Sequence, residues 1–410
     1  MELYTLLYIQ FVVDKVVYPF LCSKNKEREW NDIKTPKTNR HMYDYLIVGA
    51  GLYGAVFAQL MTGQGKRCLV IDRRKHIGGN IYTSVKDGIV IHQYGAHIFH
   101  TSNDEVWKYI NRFARFNHFV NSPLAKSKGK IYNLPINMNT FNRLWGVITP
   151  DEAREKIAEQ CAEYRFERPS NLEEQALQLC GKDIYHLFIK EYTEKHWGRK
   201  AHLLPASIIK RIPLRLTYDN NYFDDVYQGI PIGGYHGLVQ NLLEGIPVYT
   251  EVDYLKNRGE WDSKARRVLF TGCIDEYYNH CFGQLSYRSL RFENEHLDKA
   301  DFQGNAVVNY NDADVPFTRI IEHKHFEFGR QSTTWITKEY PQAYEKGMEP
   351  FYPIRDAENL KRLEKYNELA ASPPRVLFGG RFGLYAYMDM DDTIEAAMMM
   401  VKHELNSKGV

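Results

Sequence analysis

The chain has 410 residues, more than the roughly 100–200 of one ordinary core, so two or three domains are expected. With 44% hydrophobic residues, 25% charged residues and a formal charge of only +2, it has a soluble globular composition and lacks the basic footprint of a nucleic-acid binder. Its 29 tyrosines, many interspersed with arginines between residues 185 and 390, suit stacking on bases and hydrogen bonding to phosphates.

The chain opens with an apolar stretch, Leu3 to Cys22, interrupted by Gln10, Asp14, Lys15 and Pro19. Its uncharged run from Leu3 to Val13 falls far short of the roughly 20 residues that span a bilayer. Glu2 at one end and Phe20-Leu21-Cys22 at the other lack the basic start and small-residue cleavage site of a secretory signal. Residence in the cytoplasm, with no membrane partner, is therefore expected. Residues 23–41 are polar, without apolar periodicity, and read as a linker or disordered tether. The cysteines, Cys22, Cys68, Cys161, Cys180, Cys273 and Cys281, show no paired metal or dithiol spacing and are expected to be reduced. No His, Cys or carboxylate cluster has metal-ligand spacing, so no metal is expected.

From Met42 the pattern changes. Tyr43 to Val48 is a short apolar run ending in glycines, as a buried parallel strand would be. Ala55 to Thr62 suits a helix, and Arg67 to Asp72 a second strand ending in an acid, which completes a βαβ unit. Between the first strand and the helix lies Gly49-Ala50-Gly51-Leu52-Tyr53-Gly54, a G-x-G-x-x-G. Its glycines permit in turn a tight turn, close approach of a pyrophosphate, and close packing of helix on strand. The helix amino terminus then presents unpaired N–H groups to phosphate. Asp72, 18 residues after Gly54, stands where a carboxylate accepts ribose hydroxyls.

Pro150 to about Cys180 is rich in Glu, Ala, Gln, Lys and Leu at helical spacing and Asp183 to Trp197 continues it, so residues 138–215 are expected to form a mainly helical domain. Val307–Tyr310, Arg319–Glu322 and Thr333–Thr337 favour strands of an antiparallel sheet. Arg375 to Phe378 followed by Gly379-Gly380 is another buried strand, and Asp392 to Leu405 a closing helix.

Asp72 to Asn80, with Gly78-Gly79, resembles the glycine-pair extension of the glutathione-reductase-like flavoproteins, which favours FAD over NAD. Gly233-Gly234 before a helix, Val248 in its short strand and Gly379-Gly380-Arg381 resemble further parts of that cofactor site. Longer segments resemble bacterial UDP-galactopyranose mutases. These are Tyr94–Thr101, Asn133–Asn137, Tyr192–Gly198, Lys210–Pro213, Asp219–Phe223, Arg319–Lys324, and Gly379 through Tyr387 to Met390. They run in the family's order from residue 42 onward, with His196 where glutamine is usual.

The resemblance implies an α/β fold in which a Rossmann-like FAD-binding domain carries an inserted helical domain and an antiparallel sheet domain. On that basis residues 42–110, 229–278 and 350–410 form the FAD domain. Residues 138–215 form the helical substrate or lid domain, and 111–137, 216–228 and 279–349 the sheet. Residues 1–41 fall outside the family pattern and are expected to be dispensable. The implied activity is interconversion of UDP-galactopyranose and UDP-galactofuranose, with reduced FAD as nucleophile toward the anomeric carbon and no net oxidation. The product would supply cell-surface glycans, and relatives imply a homodimer.

The resemblance also distributes roles. Arg211 and Arg319 would stabilise the departing diphosphate, Arg211 from a candidate lid over residues 203–216. Tyr222, Tyr352 and Tyr387 would donate to phosphate, and Asn121 would lie near the sugar. Phe188, Tyr192 and Trp197 would wall the uracil, although without the motif the same stripe reads as core packing. Asp389 would orient the tyrosines or an arginine, or else cap the last helix. His97 and His100 would lie beside flavin and sugar, or serve structure alone. Gly49, Gly51, Leu52, Gly54, Asp72, Arg73, Gly79, Asn80, His97, Val248, Gly380, Arg381, Tyr387, Asp389 and Met390 would hold the cofactor. Two rivals remain at this level: a flavin oxidase or dehydrogenase on the same scaffold, and a noncatalytic nucleotide-sugar sensor.

Overall fold

The computed structural model describes residues 42–211, 214–371 and 375–406, with only the backbone at Lys210 and Arg211. In chain order the strands are β1 (Tyr43–Val48), β2 (Cys68–Ile71), β3 (Thr83–Lys86), β4 (Ile89–His92), β5 (Phe99–Thr101), β6 (Leu124–Ser127), β7 (Lys130–Asn133) and β8 (Tyr227–Gly229). They continue with β9 (Val248–Tyr249), β10 (Ala265–Phe270), β11 (Tyr287–Leu297), β12 (Val307–Tyr310), β13 (Arg319–Glu322), β14 (Thr334–Ala343), β15 (Tyr352–Pro353) and β16 (Val376–Phe378). The chain divides into two compact units, the first made of residues up to 82, 236–286 and 353 onward, the second of 83–235 and 287–352.

The first unit is built on a parallel sheet of order β16-β10-β1-β2-β9. Burial on both faces explains why its central strands are almost wholly apolar: Tyr45, Leu46 and Ile47 of β1 are fully buried. The helix Leu52–Gly63 follows β1 and packs against the closing helix Met390–Asn406. Buried Glu404 pins that closing helix to the sheet, accepting from Tyr45 Oη at 2.8 Å and pairing with Arg267 Nη1 at 2.7 Å. A buried carboxylate is tolerable only with such partners, so losing either costs more than the pair itself contributes.

The second unit holds a seven-stranded sheet of order β15-β11-β14-β13-β12-β6-β7. The expected antiparallel pairings are present for β11–β14, β13–β14, β12–β13 and β6–β7, but β6 joins β12 in parallel. Helices Met138–Trp145, Pro150–Cys161 and Leu172–Ile184 begin where the sequence supplies caps. Asn137 and Thr149 form capping boxes with Thr140 and Glu152, and the Asn171 side chain accepts from Glu174 N. After Ile184 the chain widens into a π-helix, Tyr185–Lys190, then resumes as the helix Glu191–Trp197.

This division differs from the expected three domains. The helical stretch shares one core with the sheet, because Ala125 and Tyr132 of β6 and β7 lie in the same buried cluster as Phe141, Leu172, Ile184 and Phe188. Residues 83–110, expected with the cofactor domain, lie in the second unit. Backbone contacts place them there: β5 pairs with β8, and His92 at the end of the β3–β4 hairpin donates its N–H to His323 Nδ1 at 3.3 Å. Residues 1–41 lie outside the described residues.

Candidate functional site

In the first unit two glycine loops abut. Gly49 follows β1 with φ +114°, and a side chain there would meet Thr271 Oγ1 at 2.0 Å. A side chain on Gly54 would meet the Gly49 carbonyl oxygen at 2.1 Å, so helix and turn approach as the glycine spacing requires. Gly51 caps the helix with extended backbone, immediately before Leu52, and bridges to Gly78. A Cβ on Gly79 would lie only 3.0 Å from the Gly51 Cα. The Gly49–Gly54 turn and the Gly78–Gly79 turn thus present bare backbone side by side, a cradle suited to a diphosphate.

Asp72 lies at the end of β2, buried, and holds these loops together. Its Oδ2 accepts from Ala50 N at 2.7 Å and its Oδ1 from Arg74 N at 2.8 Å. Each oxygen can accept a second donor, so ribose recognition would share the carboxylate with this structural task. Asn80 Oδ1 accepts from Arg74 Nη2 at 2.9 Å, whereas Arg73 is half-exposed and only 3.9 Å from Glu276. Val248 pairs with Val70 across β9 and β2. Gly380 has φ +72°, and Arg381 donates to the Met388 carbonyl at 2.7 Å while lying 5.0 Å above the Tyr387 ring. Asp389 precedes the helix beginning at Met390, and its carbonyl accepts from Thr393 N at 3.0 Å, which is the capping position.

Asp392, in the first turn of that helix, is raised to about 7 by burial and by neighbouring Asp391 and Asp389. An acid whose folded-state pKa lies above its unfolded one binds extra protons when folded, so stability falls as pH rises from about 4 through about 7. Asp392→Asn is therefore expected to raise Tm at pH 8 through a stability gain of up to about 4 kcal/mol, at ~1.4 kcal/mol per pKa unit, with the gain vanishing at pH 4. Thermal melts of both proteins at the two pH values check this.

In the second unit the arginine that opens β13 gathers the expected groups. Arg319 Nη2 donates to Tyr192 Oη at 3.1 Å, and Nε lies 3.3 Å from Glu339 Oε1 on β14, its register partner. Burial opposes the charge, but Glu339, Tyr192 and Tyr352 hold the guanidinium firmly ionised. A quarter of the Arg319 side chain remains exposed, so its remaining donors can be met from outside the protein. His196 stands between: parallel to Tyr192 at 6.3 Å, edge-on to Trp197 at 5.6 Å and 5.4 Å from Tyr352. Burial, then Arg319 and Arg288, lower its pKa to about 3, so the ring is neutral, and its buried Nδ1 has no hydrogen-bond partner among the described residues.

The remaining expected residues are placed as follows. Phe188 lies in the π-helix and packs into the core, edge-on to Tyr132 at 5.0 Å, instead of extending the Tyr192–Trp197 wall. The π-turn accounts for this, since it alters the phase on which the i, i+4 spacing relied. His100, on β5, is 2.7 Å from Asp225 and stacked on Phe223 at 3.7 Å. His97 Nδ1 is 2.9 Å from the Gly95 carbonyl. Asn121 is buried, and its carbonyl accepts from Tyr222 N at 2.8 Å; Tyr222 is 38% exposed. The Arg211 side chain and residues 212–213 of the candidate lid lie outside the described residues.

Three residues were missed. Glu339 was legible as the cross-strand neighbour of Arg319 once β13 and β14 are paired. Arg288, buried on β11, donates Nε to the His196 carbonyl at 3.0 Å, which no local pattern announces. Lys195 donates to the carbonyls of Tyr310, Asp312 and Val315 at 2.7, 3.0 and 2.9 Å, tying the Tyr192 helix to the loop before β13. Burial lowers its pKa to about 8.

Residues 187–387 match the UDP-galactopyranose mutase family, and residues 47–113 an NAD(P)-binding Rossmann-like domain. The "Probable UDP-galactopyranose mutase" of Klebsiella pneumoniae is 40% identical over 368 residues, covering 88% of this chain and 94% of the relative. The chain belongs to the UDP-galactopyranose mutase family. It is accordingly an enzyme, an isomerase. A second family relative, the dTDP-fucopyranose mutase of Escherichia coli, is 38% identical over 375 residues, covering 88% of this chain and 99% of that one. In fold, the mutase resembles a reduced UDP-galactopyranose mutase with a TM-score of 0.67 at 15% identity, covering 89% and 94% of the two chains. Putrescine oxidase has the same scaffold, at a TM-score of 0.53, so the fold alone does not separate isomerase from oxidase, whereas the sequence relationship does.

Proposed function

We propose that this mutase interconverts UDP-galactopyranose and UDP-galactofuranose and that its dinucleotide is FAD, active when reduced. Reduced FAD, when bound, supplies an electron-rich nucleophile for the anomeric carbon. The chain's own residues do the rest. The bare backbone of Gly49–Gly54 and Gly78–Gly79 suits the cofactor diphosphate, and the amino terminus of the helix at Leu52 complements its charge. As the bond from the anomeric carbon to UDP breaks, negative charge grows on the diphosphate, and a pre-positioned guanidinium stabilises it without reorganising. Arg319 supplies that cation, and Tyr352 and Tyr222 of the same unit add neutral donors that bring no further charge to desolvate; Tyr387 is given that role by its motif alone. Arg211 joins them in this reading by its place in the motif.

The observation that carries the reading is Arg319 held rigidly between Glu339 and Tyr192, next to Tyr352, within a chain related to mutases along 88% of its length. The near-equal identity to a dTDP-fucopyranose mutase supports a second reading, in which the nucleotide is thymidine and the sugar lacks the 6-hydroxyl. Chromatographic conversion of UDP-galactofuranose and of the dTDP-fucose furanose, each with and without dithionite, tests both. The expected result is turnover of the UDP-sugar only after reduction, at least 100-fold above the oxidised protein, with no peroxide. Turnover by oxidised enzyme with stoichiometric peroxide would make it an oxidase, and preference for the dTDP-sugar would move the substrate.

A homodimer making a product for glycan assembly belongs to this proposal as the family resemblance implies it, and residence in the cytoplasm is proposed with it. Among the described residues no helix is long and apolar enough to cross a membrane.

A further inference from the structure

A row of imidazoles in the second unit, His323 and His92 buried and His97 partly so, has its proton positions set by hydrogen-bond direction. The backbone N–H of His92, at the end of β4, donates to His323 Nδ1 at 3.3 Å. A backbone N–H can only donate, so Nδ1 carries the lone pair and the proton of neutral His323 sits on Nε2. That N–H faces Thr337 Oγ1 at 2.6 Å, which therefore accepts, and the threonine hydroxyl donates onward to Asn294 Oδ1 at 2.5 Å. Each member admits one orientation.

The same logic continues from the His92 ring. The backbone N–H of His97 donates to His92 Nδ1 at 3.2 Å, so the proton of neutral His92 is on Nε2. His92 is 1% exposed, its ring is stacked on Phe326 at 4.4 Å, and Tyr235 meets it edge-on at 5.7 Å. Burial, with His323 and His97 as neighbours, keeps His92 far from protonation, and burial holds His323 at about 3. His97 is tied at two further points. Its carbonyl accepts from Tyr235 Oη at 3.0 Å, and its Nδ1, facing the Gly95 carbonyl at 2.9 Å, must carry a proton.

We infer that His92 is a positioning residue for the reaction, fixing the Gly95–His97 loop through its Nδ1 while the Asn294–Thr337–His323 relay fixes His92. The inference rests on the proposed function and on the family resemblance, which assigns His97 a place beside the reacting groups. Nothing in the row takes a proton from substrate; its task is to hold one backbone N–H, one carbonyl and one imidazole in a single orientation. Rigid support of this kind is what small errors in a site disrupt.

The test compares two substitutions in the reduced holoenzyme. His92→Phe keeps an aromatic ring against Phe326 but has no acceptor, whereas His92→Asn retains an acceptor at the δ position. The expected result is that His92→Phe lowers kcat about tenfold with KM within about twofold, and that His92→Asn recovers to within about threefold of the parent. Hydrogen–deuterium exchange of a peptide spanning residues 93–98 should quicken in His92→Phe and return toward the parent rate in His92→Asn. That readout needs no turnover, so it stands even if the parent fails to isomerise UDP-galactose, which would sink the functional reading instead. Equal behaviour of the two variants in rate and exchange would overturn the inference. Should His92→Phe not fold, Thr337→Val breaks the relay at a distance. It is expected to lower kcat about threefold and quicken the same peptide, and parental behaviour in both respects would be equally fatal.

Discussion

Replacing Arg319 by methionine is expected to lower kcat/KM by about 10²–10³-fold, the effect of removing one pre-organised donor to a developing anion. The chain supplies the reason in layers. Strand pairing sets Arg319 opposite Glu339, and the helix Glu191–Trp197 brings Tyr192 to its outer nitrogen at 3.1 Å. Lys195, by gripping the carbonyls of Tyr310 at the end of β12 and of Asp312 and Val315 in the loop before β13, ties that helix to the strand. The cation is thus fixed before substrate arrives and does not reorganise as charge develops. Arg319→Lys should recover only a small part of the loss, since an ammonium keeps the charge facing Glu339 but lacks the planar fork that reaches tyrosine and phosphate together. Because either change disturbs a buried carboxylate, rates must be taken per folded, cofactor-loaded molecule. Chromatographic rates with dithionite-reduced enzyme decide the matter, and a change below about fivefold in the methionine variant would remove Arg319 from the chemistry.

How much of this was legible beforehand depends on the range of the interaction. The βαβ unit was readable because a buried parallel strand, a glycine turn and a helix each leave a local signature, and those signatures agree. Asn137, Thr149 and Asn171 likewise mark helix starts within a few residues of themselves. By contrast, the parallel pairing of β6 with β12 joins residues far apart in sequence, and nothing in either strand distinguishes a parallel neighbour from an antiparallel one. Phe188 was misleading for a different reason: the spacing rule assumed an uninterrupted α-helix, and a π-turn intervened. The grip of Lys195 joins a helix to a stretch more than 100 residues onward, and the row from Asn294 to His97 needs five segments to meet at once, which no local pattern encodes.

The dinucleotide loop permits the second large prediction, in which two neighbouring glycines should fail for different reasons. At Gly54 a methyl group would sit 2.1 Å from the Gly49 carbonyl oxygen and 3.0 Å from Ile47. Backbone cannot yield that far, so Gly54→Ala should destabilise the fold itself, by roughly 2–4 kcal/mol as overpacking of a tight helix–strand contact, and lose the cofactor as a consequence. At Gly51 the backbone is extended, with φ −74°, and the nearest atom a methyl group would meet is the Gly79 Cα at 3.8 Å, an ordinary contact. The protein alone therefore has room for alanine there. A pyrophosphate lying against that backbone does not, because the methyl group would stand where its oxygens approach the N–H groups at the helix amino terminus. Gly51→Ala is expected to melt within about 3 °C of the parent when both are stripped of cofactor, yet to bind added FAD at least tenfold more weakly, for a loss of about 1.4 kcal/mol or more. Melting of the apoproteins and fluorescence titration with FAD separate these outcomes. If Gly51→Ala retained full affinity, the diphosphate would have to lie elsewhere than against this turn, and the glycine pattern would be a matter of helix packing alone.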